Sequence, residues 1–271
     1  MPSSLTVAAA RCAPKFLKNW VHHHRLLDRL SRRAFCGALL RLGGDRVTIE
    51  SGPMQGLALA VSEHVSHAHI RGDYELDTQR AIDRWVSPGF ICYDLGASIG
   101  YLSLLMARKA KSVYAFEPAP HAAEEIRKHA AANSFHHITV VPAPVSDCPR
   151  PVVFSLTDAA YGSRIVESDS PWPTLKLTTI TLDDFAAANP LPDFLKIDVE
   201  GEEARVLQGA RSILRSKKPI LCCEHHSEQA ARDVEGILTG FGYHITTLNG
   251  EPFQARGTII PVDTQVLALP Q

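Results

Sequence analysis

The sequence predicts an α/β protein with a mostly parallel sheet covered by helices on both faces, preceded by a helical extension. Three observations lead there. From about Arg46 onward, short apolar runs alternate with helix-patterned segments, the order expected of strand, helix, strand units. One junction, "CYDLGASIGYLSLL" over residues 92–105, passes from an apolar run through Gly96 and Gly100 into a second apolar run. Acids recur at the ends of apolar runs, at Asp94, Glu117, Asp198 and Glu224, and in open parallel sheets ligands bind beyond the carboxyl ends of the strands.

The first segment, residues 1–45, stands apart by charge. Up to Arg46 it carries nine lysines and arginines against Asp28 and Asp45. Phe16, Trp20, Leu27, Leu30, Ala34 and Leu40 follow near-helical spacing, and Gly43 and Gly44 supply a stop, which describes a basic amphipathic helix. Its apolar face either packs on the main domain or seats residues 11–42 on an anionic membrane surface. His22 to His24 are consecutive, so on a helix they point about 100° apart and do not converge on one ion.

The second segment, residues 46–271, holds the rest. "RVTIES" and "LALAVS" flank Gly52, Pro53 and Gly56 as a β-hairpin. Strands follow at "FICYDL", "SVYAFE", "HITVV", "FLKIDV", "PILCCE", "YHITTL" and "TQVLAL". Helices are expected between them at "YLSLLMARKA", "HAAEEIRKHAAAN", "EARVLQGARSILRS" and "SEQAARDVEGILTGF". Residues 158–177 read as a long loop or hairpin over the pocket, with Tyr161 and Arg164 open to stacking, packing or hydrogen bonding and Trp172 expected to pack between two prolines.

Composition narrows the function classes. With 271 residues, 45% of them hydrophobic, the chain is globular. Twenty-eight basic residues against 29 acidic ones give no case for a nucleic-acid partner. The six cysteines show no metal spacing and are expected as free thiols. No run reaches the roughly 20 apolar residues of a membrane span, and cytoplasm is the expected location.

The glycine turn argues about charge. It lacks the G-x-G-x-x-G order of dinucleotide sites, and Asp94 beside it would repel a pyrophosphate. S-adenosylmethionine carries a cationic sulfonium and an α-ammonium group and no phosphate, so a carboxylate suits it. Gly96 and Gly100 are expected to let the backbone approach this cofactor. Glu117, 23 residues after Asp94, is the expected partner of the ribose diol. In "FLKIDVEGEE", Asp198 and Glu200 are two apart at a strand end and face one pocket, while Glu202 and Glu203 fit the first turn of a helix.

Together "RGDYELDTQRAIDRWVSPGFICYDLGASIGYLS", "YAFEP", "TLDDF" and "FLKIDVEGEE" resemble the FkbM family of S-adenosylmethionine-dependent methyltransferases over about residues 65–250. The resemblance implies the class I, Rossmann-like methyltransferase fold, a seven-stranded sheet with an antiparallel last strand, and methylation of hydroxyl groups on sugars, glycolipids or secondary metabolites. It implies Glu75 near the methionine end of the cofactor, Asp94, Gly96 and Gly100 in the first loop, Glu117 on the ribose and Asp147 near the adenine. Ser98 replaces the family's usual asparagine, and Pro144 replaces a small residue. For the base that takes the hydroxyl proton, the candidates are Asp198 first, then His225, with Glu200 beside them. The same residues offer a divalent-cation set, but no helical i, i+4 pair supports a metal, and none is assigned. A small-molecule or glycan acceptor is the expected partner. Two other readings remain: a nicotinamide oxidoreductase, disfavoured by Asp94, and a non-catalytic adaptor docking through its basic helix.

Overall fold

The computed structural model describes residues 36–37, 44–157, 162–166, 170–255, 260–261 and 263–271. Except for Cys36 and Gly37, the expected basic helix over residues 11–42 lies outside the described residues, as does Tyr161. The chain divides into two compact units between Tyr74 and Glu75, well past the change in charge near residue 45. Among the described residues no helix is long and apolar enough to cross a membrane.

The first unit contains the expected hairpin. Strands β1 (Arg46–Thr48) and β2 (Ala58–Ala60) pair antiparallel, with Val47 opposite Leu59. Helix α1 (His67–Arg71) opens on a capping box in which the Ser66 hydroxyl accepts from the His69 N–H and the His69 ring accepts from the Ser66 N–H. Gly72 closes it in the left-handed region at φ 86°, where a Cβ would lie 2.0 Å from the Ser51 carbonyl oxygen.

The second unit runs α2 (Leu76–Trp85), β3 (Ile91–Leu95), α3 (Tyr101–Ala107), β4 (Ser112–Phe116), α4 (Pro120–Ala132) and β5 (Ile138–Val141). Then come β6 (Pro151–Ser155), β7 (Arg164–Val166), β8 (Thr174–Thr178) and α5 (Leu182–Ala188). It finishes with β9 (Phe194–Ile197), α6 (Glu203–Gln208), α7 (Arg211–Ser216), β10 (Ile220–His225), α8 (Glu228–Gly240), β11 (Tyr243–Thr247) and β12 (Thr264–Pro270). The main sheet has seven strands in the order β5, β4, β3, β9, β10, β12, β11. All pairs are parallel except those of β12, which is antiparallel to both neighbours. This is the class I methyltransferase topology, and every strand named from the sequence is present.

The order decides where a ligand binds. From β3 the chain builds outward to β5, then returns to lay β9 against the other side of β3. Loops leaving β3 and β9 therefore diverge, and a crevice opens between them at the carboxyl edge. Strand β3 is buried at all five positions because helices cover both faces. Tyr93 in it donates to the Pro190 carbonyl oxygen at 2.7 Å, which satisfies its hydroxyl inside the core.

Some elements escape the sequence reading. A second sheet of three antiparallel strands, ordered β7, β6, β8, takes up part of the stretch read as a long loop or hairpin. Trp172, expected to pack, is 37% exposed in the turn before β8. The segment "EARVLQGARSILRS" forms two helices, α6 and α7, and not one. The break falls at Gly209, where a Cβ would sit 2.3 Å from the Ser146 carbonyl oxygen. Helices α2 and α5 also went unassigned; α5 starts at Thr181, whose hydroxyl accepts from the Asp184 N–H at 3.0 Å.

Two glycines test this packing in opposite directions. Gly96 has φ 73°, and a Cβ on it would stand 1.7 Å from the Asp198 carbonyl oxygen, so Gly96→Ala should destabilise by about 3 kcal/mol or more. Gly236 lies inside α8, and a Cβ there would have nothing within 4 Å, so Gly236→Ala should stabilise by about 0.5–1 kcal/mol. Urea denaturation of the two variants measures both, and equal midpoints would contradict the packing described.

Candidate active site

Lys196 is the hub of the carboxyl edge. It lies in β9, directly opposite Asp94 of β3 in the parallel register, and is only 5% exposed. Its ammonium is 2.9 Å from Asp198 Oδ2 and 3.8 Å from Asp94 Oδ1. Burial works against the charge, but Asp198, Asp94 and Glu75 outweigh it and hold the lysine well above its ordinary pKa. Asp94 is fully enclosed; the Ser103 hydroxyl donates to its Oδ2 at 2.5 Å, and its Oδ1 has no hydrogen-bond partner among the described residues. Burial raises the Asp94 pKa, opposed by Lys196 and Ser103.

The loop after β3 is drawn tight by its own backbone. Gly96 and Ala97 both donate to the Phe116 carbonyl oxygen, at 3.0 and 3.1 Å. The room that Gly96 must leave is taken by the backbone of Asp198, so the glycine serves loop-to-loop packing, where ligand approach was expected. At Gly100 the neighbour is Ile126, 3.0 Å from where a Cβ would be. Ser98 sits at φ 52°, a left-handed conformation that asparagine adopts more readily than serine.

A cavity opens between this loop and the end of β9. Phe116, Pro118, Val145, Phe154 and Ile165 give its lining apolar surface, Glu117, Asp198 and Glu202 supply carboxylates, and among the described residues no cationic side chain lines it. Glu117 accepts from the Ser98 N–H at 2.9 Å and the Ala119 N–H at 2.8 Å, one on each oxygen. Burial nevertheless pushes it up to about 7. Asp147 is absent from this lining. Its carboxylate lies 3.8–3.9 Å from Arg205 and Arg150 and it lines a separate polar cleft with Arg205 and Asp233. On the side where Asp147 was expected stand Pro144, Val145 and Glu202, the last held by the Ser146 hydroxyl at 2.6 Å and Arg150 at 3.1 Å.

Beyond Asp198 a second group of polar side chains gathers around His226. Its Nδ1 is 2.7 Å from Oε1 of the fully buried Glu203. Its Nε2 faces Asp198 Oδ1 at 3.4 Å, Glu200 Oε2 at 3.7 Å and Glu224 Oε1 at 4.0 Å. Burial opposes the imidazolium, but the Glu203 bond and the surrounding carboxylates push His226 up to about 9. Glu224 is pushed up to about 7, by burial first and by Asp198 next. Burial also raises Glu200.

His225, the histidine singled out in the sequence, is turned the other way. It is 1% exposed, its ring lies 5.8 Å from that of Phe253, and burial pushes it down to about 4. Strand parity is the cause: β10 runs through His225, so Glu224 and His226 share the face toward the crevice and His225 takes the opposite one. The same parity that paired Asp198 with Glu200 would have selected His226. Lys196 was also passed over, although a lone charge inside the buried run "FLKI" marks a position that must have a partner.

Comparison with known proteins identifies relatives of the chain. The family described as the methyltransferase FkbM domain matches residues 94–245. The hexuronic acid methyltransferase AglP of Haloferax volcanii is 27% identical over 193 residues, 66% of this chain and 74% of that one. An uncharacterized protein of Methanocaldococcus jannaschii, MJ1452, is 32% identical over 82 residues, 30% of this chain and 32% of that one. Among solved structures, a methyltransferase FkbM from Methylobacillus flagellatus aligns at 21% identity with a TM-score of 0.45, covering 67% of this chain and 44% of that longer one. The family match spans more than half of the 271 residues, and the chain belongs to the FkbM methyltransferase family.

Proposed function

We propose that the protein transfers a methyl group from S-adenosylmethionine to an oxygen of a sugar or sugar acid. The observation that carries this reading is the cavity at the switch point between β3 and β9, whose described lining combines apolar side chains with three carboxylates and includes no cationic residue. A purine suits the apolar part of that lining. The carboxylates suit hydroxyl donors and a cationic tail, and they repel the phosphates of a nicotinamide dinucleotide. Asp94 Oδ1 is a buried acceptor with no hydrogen-bond partner among the described residues, its charge shared with Lys196 at 3.8 Å. The relative named as a hexuronic acid methyltransferase supports a sugar acid as the acceptor class.

In this reading Glu117 accepts the ribose hydroxyls, the loop from Gly96 through Ser98 to Gly100 carries the cofactor's central portion, and Asp94, with Glu75 at the start of α2, supplies negative charge at its methionine end. Asp147 has no cofactor role, because its carboxylate belongs to the cleft with Arg205. Bound S-adenosylmethionine supplies a methyl carbon already activated by its sulfonium, so the protein's main task is alignment of the acceptor oxygen. A proton must still leave an acceptor hydroxyl. Both oxygens of Asp198 are already engaged, Oδ2 by Lys196 at 2.9 Å and Oδ1 by His226 at 3.4 Å. Glu200 is better placed: its side chain is 26% exposed beside His226, and burial raises its affinity for a proton. Glu200 therefore takes the proton, while Asp198 and His226 orient the hydroxyl, His226 in place of the enclosed His225.

Two measurements test this assignment. Ribose hydroxyls donate to ionised Glu117, whose proton is held to about 7 in the free protein. Affinity for S-adenosylhomocysteine, read by calorimetry, should therefore fall about tenfold from pH 8 to pH 6, and Glu117→Gln should bind weakly with that dependence gone. A flat profile in the unsubstituted protein would remove Glu117 from the site. Glu200→Gln should lower the transfer of labelled methyl onto hexuronic-acid-bearing glycans by about 10²–10⁴-fold while S-adenosylhomocysteine binds as before; unchanged transfer would give the proton to another group.

A further inference from the structure

We propose that Asp198, Glu224 and His226 form a divalent-cation site at the acceptor side of the crevice, suited to Mn²⁺. The three side chains each offer one ligand atom, and these atoms all lie within 4.8 Å of one another. What separates this group from a chance gathering of acids is that every member has one atom tied down from outside and one turned inward. Glu203 Oε1 engages Nδ1 of His226 at 2.7 Å, leaving Nε2 to face the group, where a bound cation replaces the proton that Nε2 carries in the metal-free protein. Lys196 holds Oδ2 of Asp198 at 2.9 Å, leaving Oδ1 at 3.4 Å from that Nε2. The amide of Gln265 donates to Oε2 of Glu224 at 2.7 Å, leaving Oε1 at 4.0 Å from the same Nε2. A carboxylate on one imidazole nitrogen with a metal on the other is a recurrent arrangement, in which the outer acid sets the tautomer and aims the ring.

The spacing suits an ion of moderate size. Octahedral ligands about 2.1 Å from a metal lie about 3.0 Å apart when adjacent and about 4.2 Å when opposite, and both imidazole-to-carboxylate distances, 3.4 and 4.0 Å, fall between those limits. Two carboxylates and one imidazole form a mixed oxygen and nitrogen set that favours Mn²⁺ over Mg²⁺, because imidazole is a poor partner for the harder ion. Three protein ligands leave open positions, which an acceptor oxygen can enter. A cation there would also admit an anionic sugar acid to an edge otherwise lined with carboxylates.

This inference rests on the methyl-transfer reading for its consequence to activity, but not for metal binding itself. The full chain, stripped with chelator, is titrated with MnCl₂ and the bound ion counted by electron paramagnetic resonance. One ion per chain is expected, with electron spin-echo modulation from a directly bound ¹⁴N nucleus. His226→Gln should abolish that modulation, and Glu224→Gln should weaken Mn²⁺ binding at least tenfold, with a retained cooperative melting transition as the check on folding. Absence of saturable binding, or bound Mn²⁺ without nitrogen modulation in the unsubstituted protein, would overturn the site whether or not either variant folds. Calorimetry with S-adenosylhomocysteine in metal-free buffer reads the cofactor assignment separately, so either idea can fail alone.

Discussion

A lysine buried between two aspartates holds the site together. Asp94 and Lys196 are register partners on the two central strands, and Lys196 also reaches Asp198 and the Gly96 carbonyl oxygen. One ammonium thereby ties together the ends of β3 and β9 and the loops that leave them. In proteins, removing one partner of such a buried set leaves uncompensated charge that costs about 3–5 kcal/mol. The strand ends that diverge to make the crevice are therefore fixed in relation to each other at the point where ligands enter.

From that tie follows the division of labour along the edge. Lys196 holds one oxygen of Asp198 and leaves the second toward His226. Glu203, wholly buried at the start of α6, holds His226 from behind and also accepts from the Gly201 N–H at 2.8 Å. The turn after β9 and the end of β10 are thus joined through one carboxylate. On the other side of Lys196, Glu117 is fixed by two backbone amides. Ligand-facing atoms on both sides are positioned by partners that do not themselves face the ligand, which is what alignment of an acceptor against an activated methyl carbon demands.

Local pattern revealed much of this and long-range packing the rest. The alternation of apolar runs and helical periods identified the seven sheet strands, because strand period and helix period are properties of a few neighbouring residues. It missed β6 and left β7 and β8 within a stretch read as a long loop or hairpin, since three short strands that cover one another obey no strong alternation. The break between α6 and α7 was invisible because the need for Gly209 comes from Ser146, 63 residues away in sequence. At the site, Asp94, Glu117 and Asp198 stood out as acids closing strands. Asp94 proved to be enclosed, since its carboxylate points at Lys196 and Ser103, and only the β3 to β9 register, absent from the sequence, could reveal that. The choice between His225 and His226 needed only the knowledge that β10 extends through residue 225.

The glycine turn after β3 has the outline of a phosphate-binding loop, yet four of its amides are already engaged. Gly96 and Ala97 donate to the Phe116 carbonyl oxygen, Ser98 to Glu117, and Gly100 to the carbonyl oxygen of Ala97. An anion arriving there would find these donors taken and a carboxylate, Glu117, already seated among them. Glu117 takes a place that a bound phosphate takes in a dinucleotide site: it accepts from Ser98 in this loop and from Ala119 at the start of α4. Because that anion is part of the protein, the loop presents negative charge outward, and the same backbone shape selects a ligand of opposite sign. The identity of the cofactor class thus follows less from the glycines than from the acid that the next strand delivers into their turn.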